Sequence, residues 1–277
     1  MAPRVPLRTA LARRGRLFTV ALLVVFAVAA SAPVLLIPAP TAGSPVSAGH
    51  RASQWKVTAL GDSVTAGTAC DCVPFVDVYA KLTERATGTR VTSRNLGVPG
   101  QTAPELVASL ASDADVANAV AKSDIVLVTT GANDLSGDLD KWTAGGCPIS
   151  CFQQQMPGIQ ADVAAIVARI RALRAGRPTE ILVTNYWNVF RDGDVAAGLG
   201  ADYGVISHDA TRLANAAICG GARSAGASCV DLYAPFKGDG STNPTALLAD
   251  DGDHPDAAGH RVIAKALAAH GWQELLP

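Results

Sequence analysis

"TALGDSVTAGTACDC" (residues 58–72) begins with an apolar, strand-like run that ends at Gly61, Asp62 and Ser63. Gly, Asp and Ser all favour turns, so Ser63 is either an ordinary turn residue or a nucleophile held at the end of a strand. Ligands of open α/β folds bind at the carboxyl ends of the strands. The nucleophile interpretation therefore requires a base, a carboxylate and oxyanion donors at the ends of other strands.

The rest of the chain alternates strand-like and helix-like segments, which predicts an α/β fold with a five-stranded parallel sheet, flavodoxin-like in topology. Residues 125–130 are nearly all apolar and β-branched, which is typical of a central strand buried on both faces. Residues 90–95 alternate polar and apolar side chains and are expected at an edge. The predicted strands are 55–60, 90–95, 125–130, 180–185 and 227–232, and the predicted helices are 75–86, 104–112, 159–174 and 256–269.

Polar segments follow four of these strands. Ser63 follows the first, "NLGVPGQTA" (95–103) the second and "TTGANDL" (129–135) the third, while "DDGDHPDAAGH" (250–260) comes after the fifth and just before the last helix. Because the carboxyl ends of parallel strands share one edge of the sheet, these segments are expected to converge on one site.

The four segments resemble the motifs of the SGNH hydrolases, also called GDSL-type esterases and lipases. The matching residues occur in the family's order over residues 55–270, and Val64 replaces the leucine that usually follows the serine. The resemblance implies a three-layer α/β/α sandwich and a secreted bacterial ester hydrolase. The motifs are Gly61-Asp62-Ser63, Gly100 within "GVPGQT", Gly131-Ala132-Asn133-Asp134, and Asp251-x-x-His254.

Each motif then implies a role. Ser63 would attack the ester to form an acyl-enzyme, and His254 would be its general base. Asp251 would orient the imidazole, because Gly252 permits a bend that brings a residue three positions earlier back to His254. The backbone N–H groups of Ser63 and Gly100 and the side-chain amide of Asn133 would form the oxyanion hole.

Other classes of function remain as alternatives. An α/β-hydrolase requires a Gly-x-Ser-x-Gly elbow, which this chain lacks. A non-catalytic flavodoxin-like binding protein would not need the Asp251/His254 pair, and a deacetylase of O-acetylated carbohydrate would use the same fold. A calcium or zinc protein is suggested by five acids of the later chain, although a triad member, loops and a helix start explain them equally well. These acids are Asp239, Asp250, Asp251, Asp253 and Asp256.

The amino-terminal segment predicts export. Five arginines precede a long apolar run at 17–37, as in a signal peptide or an uncleaved membrane anchor, and a Pro/Ala/Ser/Gly linker follows at 38–49. Residues 1–48 hold five of the 23 basic residues and none of the 24 acidic ones, so their removal moves the formal charge from −1 to −6. An acidic domain over 49–277 is a poor nucleic-acid binder. We expect one secreted, monomeric hydrolase domain.

Six cysteines in an exported chain favour disulfides over zinc, since their spacings differ from the usual Cys-x2-Cys knuckle. Each cysteine has a partner in its own predicted loop region. The predicted bridges are Cys70–Cys72, Cys147–Cys151 and Cys219–Cys229.

The substrate is less well defined by the sequence than the chemistry. A loop at 135–155 with Trp142 and the aromatic "NYWNVF" (185–190) are expected to shape an apolar acyl pocket. His208, His260 and His270 are interpreted as surface or packing residues. The predicted ligand is a small-molecule or lipid ester, with no cofactor and no metal, and a membrane contact only through an uncleaved amino-terminal segment.

Overall fold

The computed structural model describes residues 54–276, so the predicted signal peptide and linker lie outside the described residues. Five parallel strands form one sheet in the order β2-β1-β3-β4-β5. The sheet confirms the predicted class and places 90–95 within an edge strand. The strands are β1 (Gln54–Gly61), β2 (Arg90–Gly97), β3 (Ile125–Thr129), β4 (Glu180–Thr184) and β5 (Ser228–Val230).

Helices cover both faces of the sheet, which gives three layers. The helices are α1 (Ser63–Ala66), α2 (Phe75–Thr87), α3 (Ala103–Ser112), α4 (Ala114–Lys122), α5 (Ser136–Thr143), α6 (Ile149–Arg174), α7 (Gly193–Gly198), α8 (Ala201–Ser224), α9 (Tyr233–Lys237) and α10 (Ala257–His270). Helices α2 and α10 pack together, while α6 packs on α3, α4 and α8. Single turns of 3-10 helix occupy Asn133–Leu135 and Thr245–Leu247.

The central strands have the burial expected from their sequences. Every residue of β3 and of β4 is buried, because helices cover both faces of these strands. The chain places β2 on one side of β1 and then β3, β4 and β5 on the other side, so the order of the parallel strands switches between β1 and β3. This topological switch point is where open α/β sheets leave a crevice for ligands, and β1 delivers Ser63 to it.

The prediction of a loop at 135–155 is wrong, because α5 and the start of α6 occupy most of these residues. Helix α6 begins ten residues before the predicted start and continues through Pro157. Proline usually ends or kinks a helix because it lacks an N–H donor, but packing keeps α6 continuous through Pro157. Phe152, in the early part of α6, is fully buried and packs edge-to-face on Phe190 at 5.9 Å between ring centroids.

Two further segments differ from the prediction. Strand β5 is three residues long instead of six, because the N–H of Leu232 bonds to the Asn185 side chain and so leaves the ladder. Helix α8 was not predicted at all. Among residues 54–276, no helix has both the length and the apolar composition needed to cross a membrane.

Candidate active site

Ser63, the predicted nucleophile, lies at the junction at which β1 ends and α1 begins, and we call this junction the nucleophile turn. Asp62 caps the helix, since its Oδ1 accepts the Val64 N–H at 3.0 Å. Gly61 has φ +122°, and a Cβ there would lie 1.7 Å from the Thr129 carbonyl oxygen. Only glycine fits this close approach of β1 to β3, which sets Ser63 at the sheet edge.

A buried hydrogen-bond network supports this turn from below. The carboxyl of Asp62 is 1% exposed and accepts the Thr129 hydroxyl at 2.7 Å and the Tyr186 hydroxyl. Burial raises the pKa of Asp62, and these hydrogen bonds partly oppose that rise. The contact of Tyr186 with Asp62 was not predicted from the sequence, which places the segment 185–190 at the pocket. Its position directly after a buried strand was the available signal.

The expected oxyanion donors lie on two neighbouring loops. Gly100 is exposed, with φ +78°, and Asn133 is partly buried at the start of a 3-10 turn. One N–H of the Asn133 side-chain amide donates a hydrogen bond to the Gln101 carbonyl oxygen, at 3.0 Å between Nδ2 and the oxygen. The second N–H of this amide remains for a ligand. Within the described part of the chain, the Ser63 and Gly100 N–H groups donate no hydrogen bond. These donors suit the stabilisation of an oxyanion.

The second loop of the site carries the acid–base pair. Asp251 Oδ2 lies 2.7 Å from His254 Nδ1, within the limit of about 3.2 Å expected from the sequence. Asp251 Oδ1 accepts the N–H groups of Asp253 and His254, each at 3.0 Å. Burial alone would raise the pKa of Asp251, but these hydrogen bonds outweigh it and lower the pKa. The carboxylate is therefore kept charged, and the contact to Nδ1 leaves Nε2 available.

The backbone of this loop is held on both sides. Gly252 has φ +68°, and its carbonyl accepts the Asp192 N–H at 2.7 Å. A Cβ at Gly252 would lie 2.5 Å from the Cβ of Val195, so this close approach also requires glycine. The Ala249 N–H donates to the His254 carbonyl at 2.8 Å, which closes the loop.

The structure brings the four segments to one edge of the sheet. Gly61 pairs in register with Gly97 and with Thr129, so β1, β2 and β3 end side by side. Asp253, next to His254, lines the same cavity as Asn133, so the acid–base loop lies beside the loop that follows β3. The Asp134 carboxylate accepts the Ala103 N–H at 3.1 Å and links the two oxyanion loops. The arrangement contains the groups that acyl transfer from an ester requires.

A cavity of about 720 Å³ adjoins this site, since Asn133 and Asp253 are part of its lining. Its wall includes Phe190 and Trp142 from the predicted pocket segments. The wall also contains charged side chains, which α5, the segment before α7, the start of α8 and the acid–base loop contribute. The lining consists of Asn133, Ser136, Leu139, Asp140, Trp142, Thr143, Val189, Phe190, Arg191, Leu199, Asp202, Tyr203 and Asp253.

The cysteines lie in the three predicted pairs at bonding distance, Cys70–Cys72, Cys147–Cys151 and Cys219–Cys229. In the described range, the one group of three possible metal ligands within 4.8 Å is Cys70, Cys72 and His260. A disulfide removes both thiolates from this group. His260 Nδ1 accepts the Phe75 N–H at 3.2 Å, so its lone pair is occupied as well. These residues do not fit a metal ion.

The other histidines among residues 54–276 make structural contacts. His260 is fully buried, and burial lowers its pKa to about 4, so the ring stays neutral in the core. His208 is partly buried, with its Nδ1 3.2 Å from the Tyr233 hydroxyl. His270 lies 3.9 Å from Glu180 at the end of α10.

The fold and the motifs together define a three-layer α/β/α hydrolase of the SGNH type. The chain belongs to the GDSL-like lipase/acylhydrolase family, whose model matches residues 59–262. It is therefore a member of a family of ester hydrolases. No curated protein matches the chain.

Several solved structures share this fold. A lipase from a goat rumen metagenome, Lip_vut3, is 20% identical with a TM-score of 0.67, covering 80% of this chain and 99% of that one. An acetyl-xylooligosaccharide esterase from Geobacillus, Axe2, is 19% identical with a TM-score of 0.53, covering 80% and 94%. A lipase/acylhydrolase from Enterococcus faecalis is 17% identical with a TM-score of 0.50, covering 78% and 94%. At these identities the likeness concerns the fold.

Proposed function

We propose that the protein hydrolyses carboxylic esters through an acyl-enzyme on Ser63, with His254 as general base and Asp251 as the carboxylate that orients it. The observation that carries this proposal is the 2.7 Å contact between Asp251 Oδ2 and His254 Nδ1 on a loop beside the nucleophile turn. A serine hydroxyl is a weak nucleophile on its own and needs such a base.

The reaction has two halves. The Ser63 hydroxyl attacks the ester carbonyl and gives its proton to His254 Nε2, and the imidazolium then protonates the departing alcohol. Water next attacks the acyl-serine with the same base, which releases the acid and restores the hydroxyl. Asp251 stabilises the imidazolium in both halves without taking the proton.

The oxyanion of each tetrahedral intermediate would lie between the Ser63 and Gly100 N–H groups and the Asn133 amide. The Gln101 carbonyl holds the Asn133 side chain at 3.0 Å, so this donor is oriented before substrate binds. Preorganised donors of this kind stabilise charge that develops in the transition state.

The direct test compares purified Ser63→Ala with the unmodified domain on p-nitrophenyl esters. We expect kcat to fall by at least about 10⁴-fold. Ser112→Ala, at the exposed end of α3, is the matched control and should retain full activity with the same circular dichroism spectrum and melting temperature. Substantial turnover by folded Ser63→Ala would overturn the proposal.

A second candidate is a deacetylase of O-acetylated carbohydrate with the same mechanism. The polar part of the cavity wall, including Asp202 and Arg191, favours it, because such groups can hydrogen bond to sugar hydroxyls. Acetylated xylooligosaccharides, assayed beside simple esters of increasing acyl length, separate the two candidates. Preference for the acetylated sugar supports the second, and preference for longer acyl chains supports the first.

We also propose that the domain is exported. The basic and apolar segments before residue 49 support this, as do three cysteine pairs at bonding distance, since disulfides persist in oxidising compartments. Mass spectrometry of the protein from culture medium and from washed membranes would test both the export and the cleavage.

A further inference from the structure

The cavity that adjoins the candidate active site has two neighbouring aromatic side chains in its lining, Trp142 and Tyr203. Trp142 lies in the last turn of α5 and Tyr203 in the first turn of α8. Their ring centroids are 6.1 Å apart and the rings meet at 61°, so the two form an aromatic corner. Both rings line the cavity that begins at Asn133. Aromatic faces carry partial negative charge and attract cations. Trp142 is the more accessible ring, because Tyr203 is buried and Trp142 is half-buried.

Two carboxylates flank this aromatic corner. Asp140 precedes Trp142 by two residues, Asp202 directly precedes Tyr203, and both are exposed and line the cavity. Neither carboxylate takes part in an ion pair among residues 54–276. The nearby Lys141 is paired with Asp138 at 2.8 Å and is not part of the lining.

The charges of the cavity lining are unequal. Its three carboxylates are Asp140, Asp202 and Asp253, and its one cationic side chain is Arg191. Asp253 lies next to His254 in the acid–base loop, while Asp140 and Asp202 adjoin the residues of the aromatic corner in sequence. The lining therefore has an excess of negative charge, and two of its three carboxylates belong to the helices that carry the aromatic corner.

We propose that this cavity recognises esters of quaternary amino alcohols, with the ammonium group in the aromatic corner and the ester carbonyl at the oxyanion donors. The inference rests on the proposed function, because it names the alcohol that the same hydrolysis would release. Water supplies hydroxide to the acyl group and a proton to the alcohol oxygen. A cavity of about 720 Å³ is large enough for a substrate of this size.

The test uses two substrates that differ by one charge. Butyrylcholine and 3,3-dimethylbutyl butyrate have nearly the same shape, but the second has a neutral carbon in place of the ammonium nitrogen. At low ionic strength we expect kcat/KM to be roughly tenfold higher for butyrylcholine. The ratio should shrink as salt is added, because exposed Asp140 and Asp202 are screened.

Variants connect that ratio to the cavity. Trp142→Leu should bring the ratio towards one, and Trp142→Phe should retain part of it, because phenylalanine also offers an aromatic face. Asp202→Asn should lower the ratio without disturbing any hydrogen bond within the described residues. Asp209→Asn, two turns further along α8 and outside this lining, is the control and should leave the ratio and the activity unchanged.

The outcomes separate the two proposals. If neither ester is hydrolysed at a rate that depends on Ser63, the proposed function fails. If the neutral ester is hydrolysed at least as well as butyrylcholine, or if the preference survives in both Trp142→Leu and Asp202→Asn, the cationic subsite is wrong while the esterase stands.

Discussion

The nucleophile turn and the cavity wall belong to one site but are built differently. The turn stands on buried groups, with the Asp62 carboxyl 1% exposed and Gly61 pressed against Thr129. The cavity wall comes from helix ends and loops, and Leu199 in it is 48% exposed. Changes in the turn should therefore affect the rate and the stability of the fold. Changes at exposed positions of the wall, such as Leu199, should affect substrate choice and leave stability nearly intact.

The largest expected effect concerns the base. His254→Ala should lower kcat by at least about 10⁴-fold, and the double variant with Ser63→Ala should lose no more than either single variant, since the two act as one unit. Steady-state kinetics on all three proteins measures this. Additive losses would mean that Ser63 and His254 do not share one proton transfer.

The next largest effect is expected from removing the side-chain amide of Asn133. Asn133→Ala should lower kcat by roughly 10²–10³-fold with little change in melting temperature. Asn133→Asp is a useful companion, because it keeps the size but places an anion where negative charge must develop. A variant at the unmodified rate would assign Asn133 to a structural role in the loop that contains Gln101.

The buried network gives a smaller effect on rate but a measurable effect on stability. Tyr186→Phe removes the hydroxyl that bonds to Asp62 Oδ2, and we expect a loss of about 1.5–3 kcal/mol in the free energy of unfolding. We also expect kcat to fall several-fold with KM unchanged. Urea denaturation and kinetics measure the two. Leu199→Ala is the control in the cavity wall, and an equal loss of stability in both variants would remove the distinction between the two regions.

In the cavity wall we expect the opposite pattern, with little change in stability and a change in substrate binding. Leu199→Ala should change the unfolding free energy by less than about 0.5 kcal/mol, because the side chain is largely exposed. It should raise KM for longer acyl esters by a few-fold while kcat for p-nitrophenyl acetate stays constant. A loss of stability as large as that of Tyr186→Phe would show that the wall supports the fold.

The smallest expected effect concerns pH. The folded pKa of Asp251 lies below its ordinary value of 3.8, so its hydrogen bonds stabilise the fold above that value, and this contribution is lost as the pH falls through the folded pKa. Because the side chain is 37% exposed, the contribution is small. Asp251→Asn should flatten the decline of melting temperature below about pH 4. If the melting temperature of Asp251→Asn fell below about pH 4 as steeply as that of the unmodified protein, the lowered pKa of Asp251 would be contradicted.

The sequence predicts the first region better than the second. Strands β1, β3 and β4 follow from apolar runs and β2 from an alternating pattern, while the polar residues of the turn follow from their place at strand ends. Helix α6 was predicted too short, because Pro157 indicates a break that the packing of Phe152 against Phe190 overrides. The wall depends on such helix positions. The polar character of the wall was therefore not predictable from the sequence. The contact between Tyr186 and Asp62 was not predictable either, because 124 residues separate them in the chain.

The central claim is that Ser63 is the nucleophile, and covalent labelling tests it most directly. A fluorophosphonate should inactivate the enzyme at a stoichiometry of about one, and peptide mass spectrometry should place the phosphonyl group on Ser63, with no label on His254→Ala at the same exposure. Label on another serine, such as Ser136 in the cavity wall, or full esterase activity in a protein whose Ser63 is modified, would contradict the account.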